Sequence, residues 1–279
     1  MSAENALYII LIEKIKQDAL VLPTLPEVAL KVRQAADDPD ISLARMSDII
    51  SHDAALSLGV LKVSNSVAFG RGVKVNSVPT AVTRIGLRQI KTIATAMAVE
   101  QMFVSDNQVV SQYMQKSWRK TIDVASVAIT LMTFYLQKNK QSNFTLESLT
   151  LAALIHNIGI LPILAEAKNH PDVFAKSAFL NKVIVKLSNE IAAEMTNAWG
   201  FSKDFREVVI TWNDLSVLPK EAHYIDFIRA GAVYHEIFKN ESTQEFLLES
   251  YVEKGILPNL NFMKTEEFTD RLAQVKSMF

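Results

Sequence analysis

Apolar residues along most of the chain recur at the alternating three- and four-residue spacing that places side chains on one face of an α-helix. The alternation of polar and apolar residues that is typical of strands is not sustained anywhere, and the chain has only eight glycines. The pattern therefore predicts an all-α fold. The longest face comprises Trp118, Ile122, Ala125, Ile129, Met132 and Leu136; shorter faces comprise Leu56, Val60 and Val63; Ile90, Ile93 and Met97; and Phe268, Leu272 and Val275.

Short polar side chains precede several of these runs and are suited to cap helix N-termini. Ser42 and Asp53 each precede an apolar run, and Thr265 is followed by two glutamates. Ser77 precedes a segment with Pro79 in its predicted first turn, where the missing N–H does little harm. We expect helices to begin at these four capping positions.

Two polar stretches divide the helical pattern, at 105–112 (SDNQVVSQ) and at 137–145 (QKNKQSNFT). We place a lobe boundary at the first of them. The predicted organisation is an N-terminal helical lobe at 1–106, a second helical core at 107–240 and a C-terminal helical extension at 241–279. No internal repeat or low-complexity tract is present.

Composition narrows the class of protein. With 279 residues, 49% hydrophobic and 21% charged, the chain is globular, and it is long enough for a large core. Its net charge of −1 gives no overall attraction to nucleic acid or to an acidic membrane. The absence of cysteine excludes disulfides, thiolate zinc sites and cysteine nucleophiles, and it fits a reducing compartment.

The most apolar segment, Leu149–Ala165, carries His156, Asn157, Gly159 and Pro162, a combination that a membrane span rarely holds. We therefore predict a buried helix there. The short apolar run at 6–12 follows an acidic residue and not a basic segment, so it is no export signal. The expected location is the cytoplasm, with no membrane contact.

Four motifs in the first half occur together: Leu22–Pro26 (LPTLP), Asp38–Pro39, Asn65–Ser66 at a predicted helix end, and Ile85–Leu87 (IGL). Their combination resembles the N-terminal part of HDOD domains. The prolines restrict their neighbours to extended conformations, and short polar groups at a helix end satisfy free backbone groups. We expect these motif residues to maintain the fold rather than to bind a ligand: Pro23, Pro26, Asn65, Ser66 and Gly86.

The second half resembles the HD-type phosphohydrolase core that this family shares. The similarity lies in LAALIHNIGIL at Leu151–Leu161 and in EIAAEMTNAWGFSKDFREVVI at Glu190–Ile210. Together the two halves extend the resemblance over roughly Leu20 to Phe238. It implies a two-lobed helical bundle, in which an HDOD-specific lobe precedes an HD-like core.

Active HD enzymes hold one or two metal ions with several converging histidines and aspartates. The resemblance puts Lys120 at the family's first histidine and Ser188 at a later one. His156 and Asn157 fall at the histidine–aspartate pair, and Ile160 falls at the lysine that often follows this pair. Trp212 and Asn213 fall at a second histidine pair, and Gly231 lies near the final aspartate. Of these, only His156 keeps a metal-ligand type, and the ammonium of Lys120 would repel a cation. We therefore expect no metal, no cofactor and no catalysis.

The residues left at this vestigial pocket are Lys120, His156, Asn157, Ser188, Trp212 and Asn213. Two interpretations remain open. In one, Lys120 is exposed and His156 is a buried, hydrogen-bonded core histidine. In the other, the lysine and the amide bind a nucleotide phosphate without hydrolysing it. A second His-Asp pair, His52–Asp53, has the context of a helix cap, which explains its aspartate without a ligand.

The resemblance implies a non-catalytic bacterial signal-transduction module that binds a protein partner or a nucleotide signal. The alternative is a metal-dependent phosphohydrolase with a rearranged site. We do not expect a nucleic-acid partner, because apolar residues bury most of the helix-turn-helix-like segment Arg84–Ala94. The sequence does not fix the oligomeric state. Apolar residues beyond Lys239 either form a partner surface or pack on the core: Phe246, Leu247, Tyr251, Phe262 and Phe268.

Overall fold

The fold was analysed in a computed structural model, which describes residues 3–17, 19–23, 26–66, 69, 73–170 and 177–279. Every regular element in these ranges is a helix and none is a strand, so the all-α prediction is confirmed. The elements of the first half are α1 (Ala3–Lys16), α2 (Glu27–Asp37), α3 (Leu43–Ser51), α4 (Ala54–Ser64), α5 (Val78–Ile85) and α6 (Leu87–Glu100).

The second half is built around one long helix, α7 (Gln108–Lys138), of 31 residues. The elements that follow it are α8 (Leu146–Ile155), α9 (Ile160–Ala167), α10 (Ser177–Ala198), α11 (Lys203–Thr211), α12 (Tyr224–Tyr234), α13 (Glu241–Glu253), a 3₁₀ turn (Phe262–Lys264) and α14 (Glu266–Lys276). Helices α8, α12 and α14 all pack along α7, which is therefore the spine of this half.

The four predicted caps are present. In each, the side-chain oxygen accepts a hydrogen bond from the backbone N–H three residues further on, which satisfies one of the free donors of the first turn. The Asp53 cap accounts for the His52–Asp53 pair, and His52 itself is exposed. The capping residues are Ser42, Asp53, Ser77 and Thr265.

Helix α7 begins inside the first polar stretch rather than after it. The Asn107 side chain accepts hydrogen bonds from the N–H groups of Val109 and Val110, so residues 108–112 form the first turns of the helix. Further along α7 the predicted apolar face is turned inward, with Trp118, Ala125, Ile129 and Met132 buried.

Two hydrophobic clusters confirm the two-lobed architecture. The first is formed by α2–α6 and includes Met46, Ile50 and Leu56. The second gathers α7–α14 and also the apolar side chains of α1, which packs against α9 and α10. Helix α6 supplies residues to both clusters and so joins the lobes. The division at 106 and 240 stays a prediction.

Asn65 in the first lobe ties a helix end to a distant loop. Its amide donates to the carbonyls of Leu61 and Val75, at 2.9 and 2.8 Å, and its side-chain oxygen accepts from the Val75 N–H at 2.8 Å. The neighbouring Ser66 donates to the Val63 carbonyl at 2.7 Å. These contacts complete the end of α4 and fix the segment that leads to α5.

The other motif residues shape the backbone. Gly86 has a φ of 85°, which favours glycine, and it separates α5 from α6. Pro26 precedes α2. The carbonyl of Pro23 accepts a hydrogen bond of 3.1 Å from the indole N–H of Trp199, which connects the entry to the first lobe with the second lobe.

The apolar segment predicted as one buried helix is buried, but it folds as α8 and α9 with a break between His156 and Gly159. Within the described residues, Ser148–Ala167 is the one stretch long and apolar enough to cross a membrane, and 78% of it is buried inside the fold. This burial places the stretch in the hydrophobic core of the fold.

The C-terminal extension packs mainly on the core. Helix α14 lies along α7, and four of the five apolar residues singled out in this region are buried: Leu247, Tyr251, Phe262 and Phe268. Phe246 is the exception, with 53% of its surface exposed.

Candidate functional site

His156 lies at the C-terminal end of α8 and is only 4% exposed. Its Nδ1 is 2.6 Å from the carbonyl oxygen of Ala153. The imidazole meets the Trp212 ring edge to face, with ring centroids 4.6 Å apart. Burial lowers the pKa of His156 from 6.5 to about 4, although the hydrogen bond to Ala153 opposes this shift. The ring is therefore neutral at physiological pH.

This burial predicts a loss of stability in acid. The unfolded chain takes up a proton on His156 near pH 6.5, whereas the folded chain resists protonation until about pH 4. The free energy of unfolding should thus fall as the pH drops through this window, by about 2 kcal/mol at pH 5. Urea denaturation at pH 7 and pH 5 measures the loss, and His156→Gln should show less of it. An NMR titration midpoint of His156 near 6.5 would contradict the prediction.

The other residues of the predicted pocket are only partly brought together. Ser188 is buried. The next residue of α10, Asn189, donates a hydrogen bond of 2.7 Å from its side-chain amide to the side-chain oxygen of Asn213, which connects α10 with the turn after α11. Asn157 is half-buried and Lys120 is exposed on α7. Among the described residues, no hydrogen bond or ion pair links Lys120 to His156.

Two glycines, Gly159 and Gly231, bring neighbouring helices into backbone contact at the HD-like position. A Cβ atom on Gly159 would overlap the carbonyl oxygen of Ser188 in α10, and one on Gly231 would lie 2.5 Å from the carbonyl oxygen of Val124 in α7. Gly231 is near the position of the final aspartate in HD enzymes. Since even a methyl group does not fit there, no carboxylate side chain has room in this packing.

Among the residues whose burial the structure describes, the most buried charged side chain is Arg229 of α12, with no exposed surface, and the sequence patterns did not single it out. Its guanidinium donates to four carbonyl oxygens at the end of α11 and in the following turn, at 2.6–2.9 Å: those of Thr211, Trp212, Asp214 and Val217. Arg229 therefore fixes the segment that carries Trp212 and Asn213. In the sequence, the indication of this burial is a single arginine within the mainly apolar segment 225–234 (IDFIRAGAVY).

A buried ion pair lies beside Arg229. Asp226 is 1% exposed and accepts from the ammonium of Lys254 at 2.9 Å, while its second oxygen caps α12 at the His223 N–H. Burial raises the pKa of Asp226, an effect that the hydrogen bond and charge of Lys254 oppose most strongly, and burial lowers the pKa of Arg229, which the charges of Tyr251 and Asp226 oppose. This carboxylate is committed to a cation and a helix cap.

A metal ion does not fit the side chains at this position. The part of the chain that the structure describes contains no group of three or more histidine, cysteine, aspartate or glutamate residues that could hold one. His156 alone binds a divalent ion too weakly, and its surroundings supply an aromatic ring and backbone instead of further ligands. No metal-dependent step follows from this arrangement.

Comparison with known proteins gives matches over most of the chain. The crystal structure of a Shewanella amazonensis SB2B protein, named "Putative metal-dependent phosphohydrolase", is 40% identical, with a TM-score of 0.85 over 100% of this chain and 99% of that one. The crystal structure of a Marinobacter aquaeolei VT8 protein, named "Putative signal transduction protein", is 19% identical, with a TM-score of 0.68 over 94% of this chain and 60% of that one. At this identity the similarity shows the fold alone.

A curated relative, an uncharacterized protein of Treponema pallidum (strain Nichols), is 29% identical over 98 residues. This match spans 35% of the chain and only 19% of the relative's length. The family profile described as HDOD domain matches residues 22–214, which is more than half of the chain and covers most of the first lobe and part of the second. The chain therefore belongs to the HDOD domain family.

Proposed function

We propose that this protein is a non-catalytic regulatory module of bacterial signal transduction that acts in the cytoplasm by binding a protein partner or a nucleotide. The observation that carries the proposal is the closed packing at the HD-like position. Gly231, which the resemblance puts near the final aspartate of HD enzymes, lies against the backbone of α7, and the one histidine left at the motif positions is neutral and buried against Trp212.

Membership of the HDOD family supports a binding role, because the HD-like scaffold is retained while its ligand set is not. A nucleic-acid partner is not part of the proposal. The segment that resembles a helix-turn-helix buries Ile85, Ile90 and Ile93, so little of α6 is left to enter a groove.

The alternative is a phosphohydrolase with a rearranged metal site. The specific observation in its favour is the name given to the Shewanella amazonensis SB2B protein of 40% identity. Such a site would need ligands in addition to His156, because the side chains at the other motif positions include tryptophan, serine, amide and lysine groups and no histidine or carboxylate.

Elemental analysis combined with a hydrolysis screen separates these two functions. The protein, purified without chelator, is analysed for manganese, iron and zinc, and it is then incubated with phosphomonoester and nucleotide substrates in added Mn²⁺. We expect metal far below one ion per chain and no turnover above buffer. Stoichiometric metal with turnover, both abolished by His156→Gln, would establish the phosphohydrolase instead.

A further inference from the structure

A cleft of about 840 Å³ opens between the two lobes, away from the HD-like position. Its walls come from α4 and α6 of the first lobe and from the first half of α7 and the C-terminal residues of the second. Small-molecule sites commonly have volumes of roughly 300–1,000 Å³ and often lie where two domains meet. The cleft therefore has the size and the position of a ligand site.

The inner wall of the cleft is aromatic and apolar. Phe103 and Trp118 are 3% and 8% exposed, and their ring centroids are 5.0 Å apart. Met97 extends across Gly59, where a Cβ atom would lie 2.5 Å from the methionine sulfur. Glycine at this position thus keeps α4 close to α6, and the half-buried Met97 side chain forms part of the apolar wall of the cleft.

The rim of the cleft carries cations. Arg119 is exposed and makes no ion pair within the described part of the chain, and Lys62 is exposed on the α4 side of the cleft. Lys276 is already held by Asp123 at 2.7 Å. The guanidinium of Arg119 is therefore an uncommitted group with the geometry that phosphate prefers.

One carboxyl group, that of Glu100, also lines the cleft. The residue as a whole is exposed, but its carboxyl is partly shielded from water, and this desolvation raises its pKa. A hydrogen bond from Trp118 and the charge of Lys62 oppose that rise in pKa. An anion that binds in the cleft would further favour the neutral form of this desolvated carboxyl.

We propose that this inter-lobe cleft binds a purine nucleotide, with the base against the apolar wall that Met97 and Trp118 line and the phosphate on Arg119. The inference rests on the proposed binding function and specifies its ligand. It also moves the ligand from the vestigial pocket at Lys120 and His156 to the junction of the lobes. A ligand there contacts both hydrophobic units, because α6 belongs to each and Met278 and Phe279 pack on opposite ones.

Isothermal titration calorimetry of the full chain with AMP, GMP, ATP and GTP tests the proposal, with inorganic phosphate as the comparison probe. At least one purine nucleotide should bind more tightly than phosphate. Arg119→Ala should weaken it by roughly tenfold or more, since it removes a charge-assisted hydrogen bond, and Arg119→Lys should restore part of the affinity. Glu100→Gln, which removes the opposing charge, should strengthen binding.

Lys120→Ala is the matched control, because Lys120 is the next residue of α7, is equally exposed and does not line the cleft. It should leave the affinity unchanged, and thermal unfolding should show that every variant is folded. Loss of binding in Lys120→Ala but not in Arg119→Ala, or no binding of any purine nucleotide at millimolar concentration, overturns the cleft site. Neither result affects the non-catalytic proposal, which only metal-dependent turnover would refute.

Discussion

Replacing the buried Arg229 by methionine is expected to destabilise the protein by at least about 3 kcal/mol, which is large for a single substitution. The guanidinium donates to four carbonyl oxygens in a buried turn and lies beside Asp226. Methionine has similar length but no donor, so the carbonyls lose their partners and the Asp226–Lys254 pair loses a neighbouring charge. Urea denaturation, followed by circular dichroism, measures the change.

Arg45→Met is the control for this substitution, because Arg45 is exposed and its guanidinium has no hydrogen bond or ion pair among the described residues. It should change the free energy of unfolding by less than about 0.5 kcal/mol. Arg229→Lys should recover little, since an ammonium cannot reach four carbonyls in different directions. If Arg229→Met were as mild as Arg45→Met, the turn after α11 would not depend on Arg229.

Gly159→Ala is expected to have a comparable effect, of about 3 kcal/mol or more, or to prevent folding. The backbone of Gly159 has φ −63° and ψ −9°, which any residue adopts, so the cost is purely steric. The new methyl group would overlap the Ser188 carbonyl oxygen, and a backbone atom cannot rotate away as a side chain can. Helices α9 and α10 would have to separate, and the loss is measured by denaturation.

Gly200→Ala provides the contrasting control. No atom lies within 4 Å of a Cβ at Gly200, but its φ is 70°, so alanine there should cost only the left-handed backbone penalty of roughly 1–2 kcal/mol. A smaller loss in Gly159→Ala than in Gly200→Ala would mean that the close contact between α9 and α10 is not maintained in solution.

Local interactions explain which parts of the fold could be predicted from the sequence. A cap depends on residues three apart, and the buried face of α7 depends on spacing within one helix, so Ser42, Asp53 and Trp118 were placed correctly. The first turns of α7 lie within the polar stretch 105–112, so its apolar pattern does not show where the helix begins and Asn107 alone marks its start.

Features that depend on tertiary contacts could not be predicted. The apolar segment breaks into α8 and α9 where Gly159 meets Ser188 in α10, a contact between distant parts of the chain. Arg229 has an ordinary place in its own helix, and only the convergence of carbonyls from the turn after α11 explains its burial. The cleft at Arg119 is formed by residues of both lobes, so it depends on how the lobes pack together. The motif pattern marks the neighbouring Lys120 instead, and Lys120 does not line the cleft.

The most direct test of the closed HD-like position is anomalous diffraction from a crystal grown in manganese chloride. Because His156 is the sole ligand type there and Gly231 closes on the backbone of Val124, we expect no manganese peak between α7, α8 and α12. An anomalous peak from an ion coordinated by His156 would contradict the closed HD-like position and would support a metal-dependent phosphohydrolase instead.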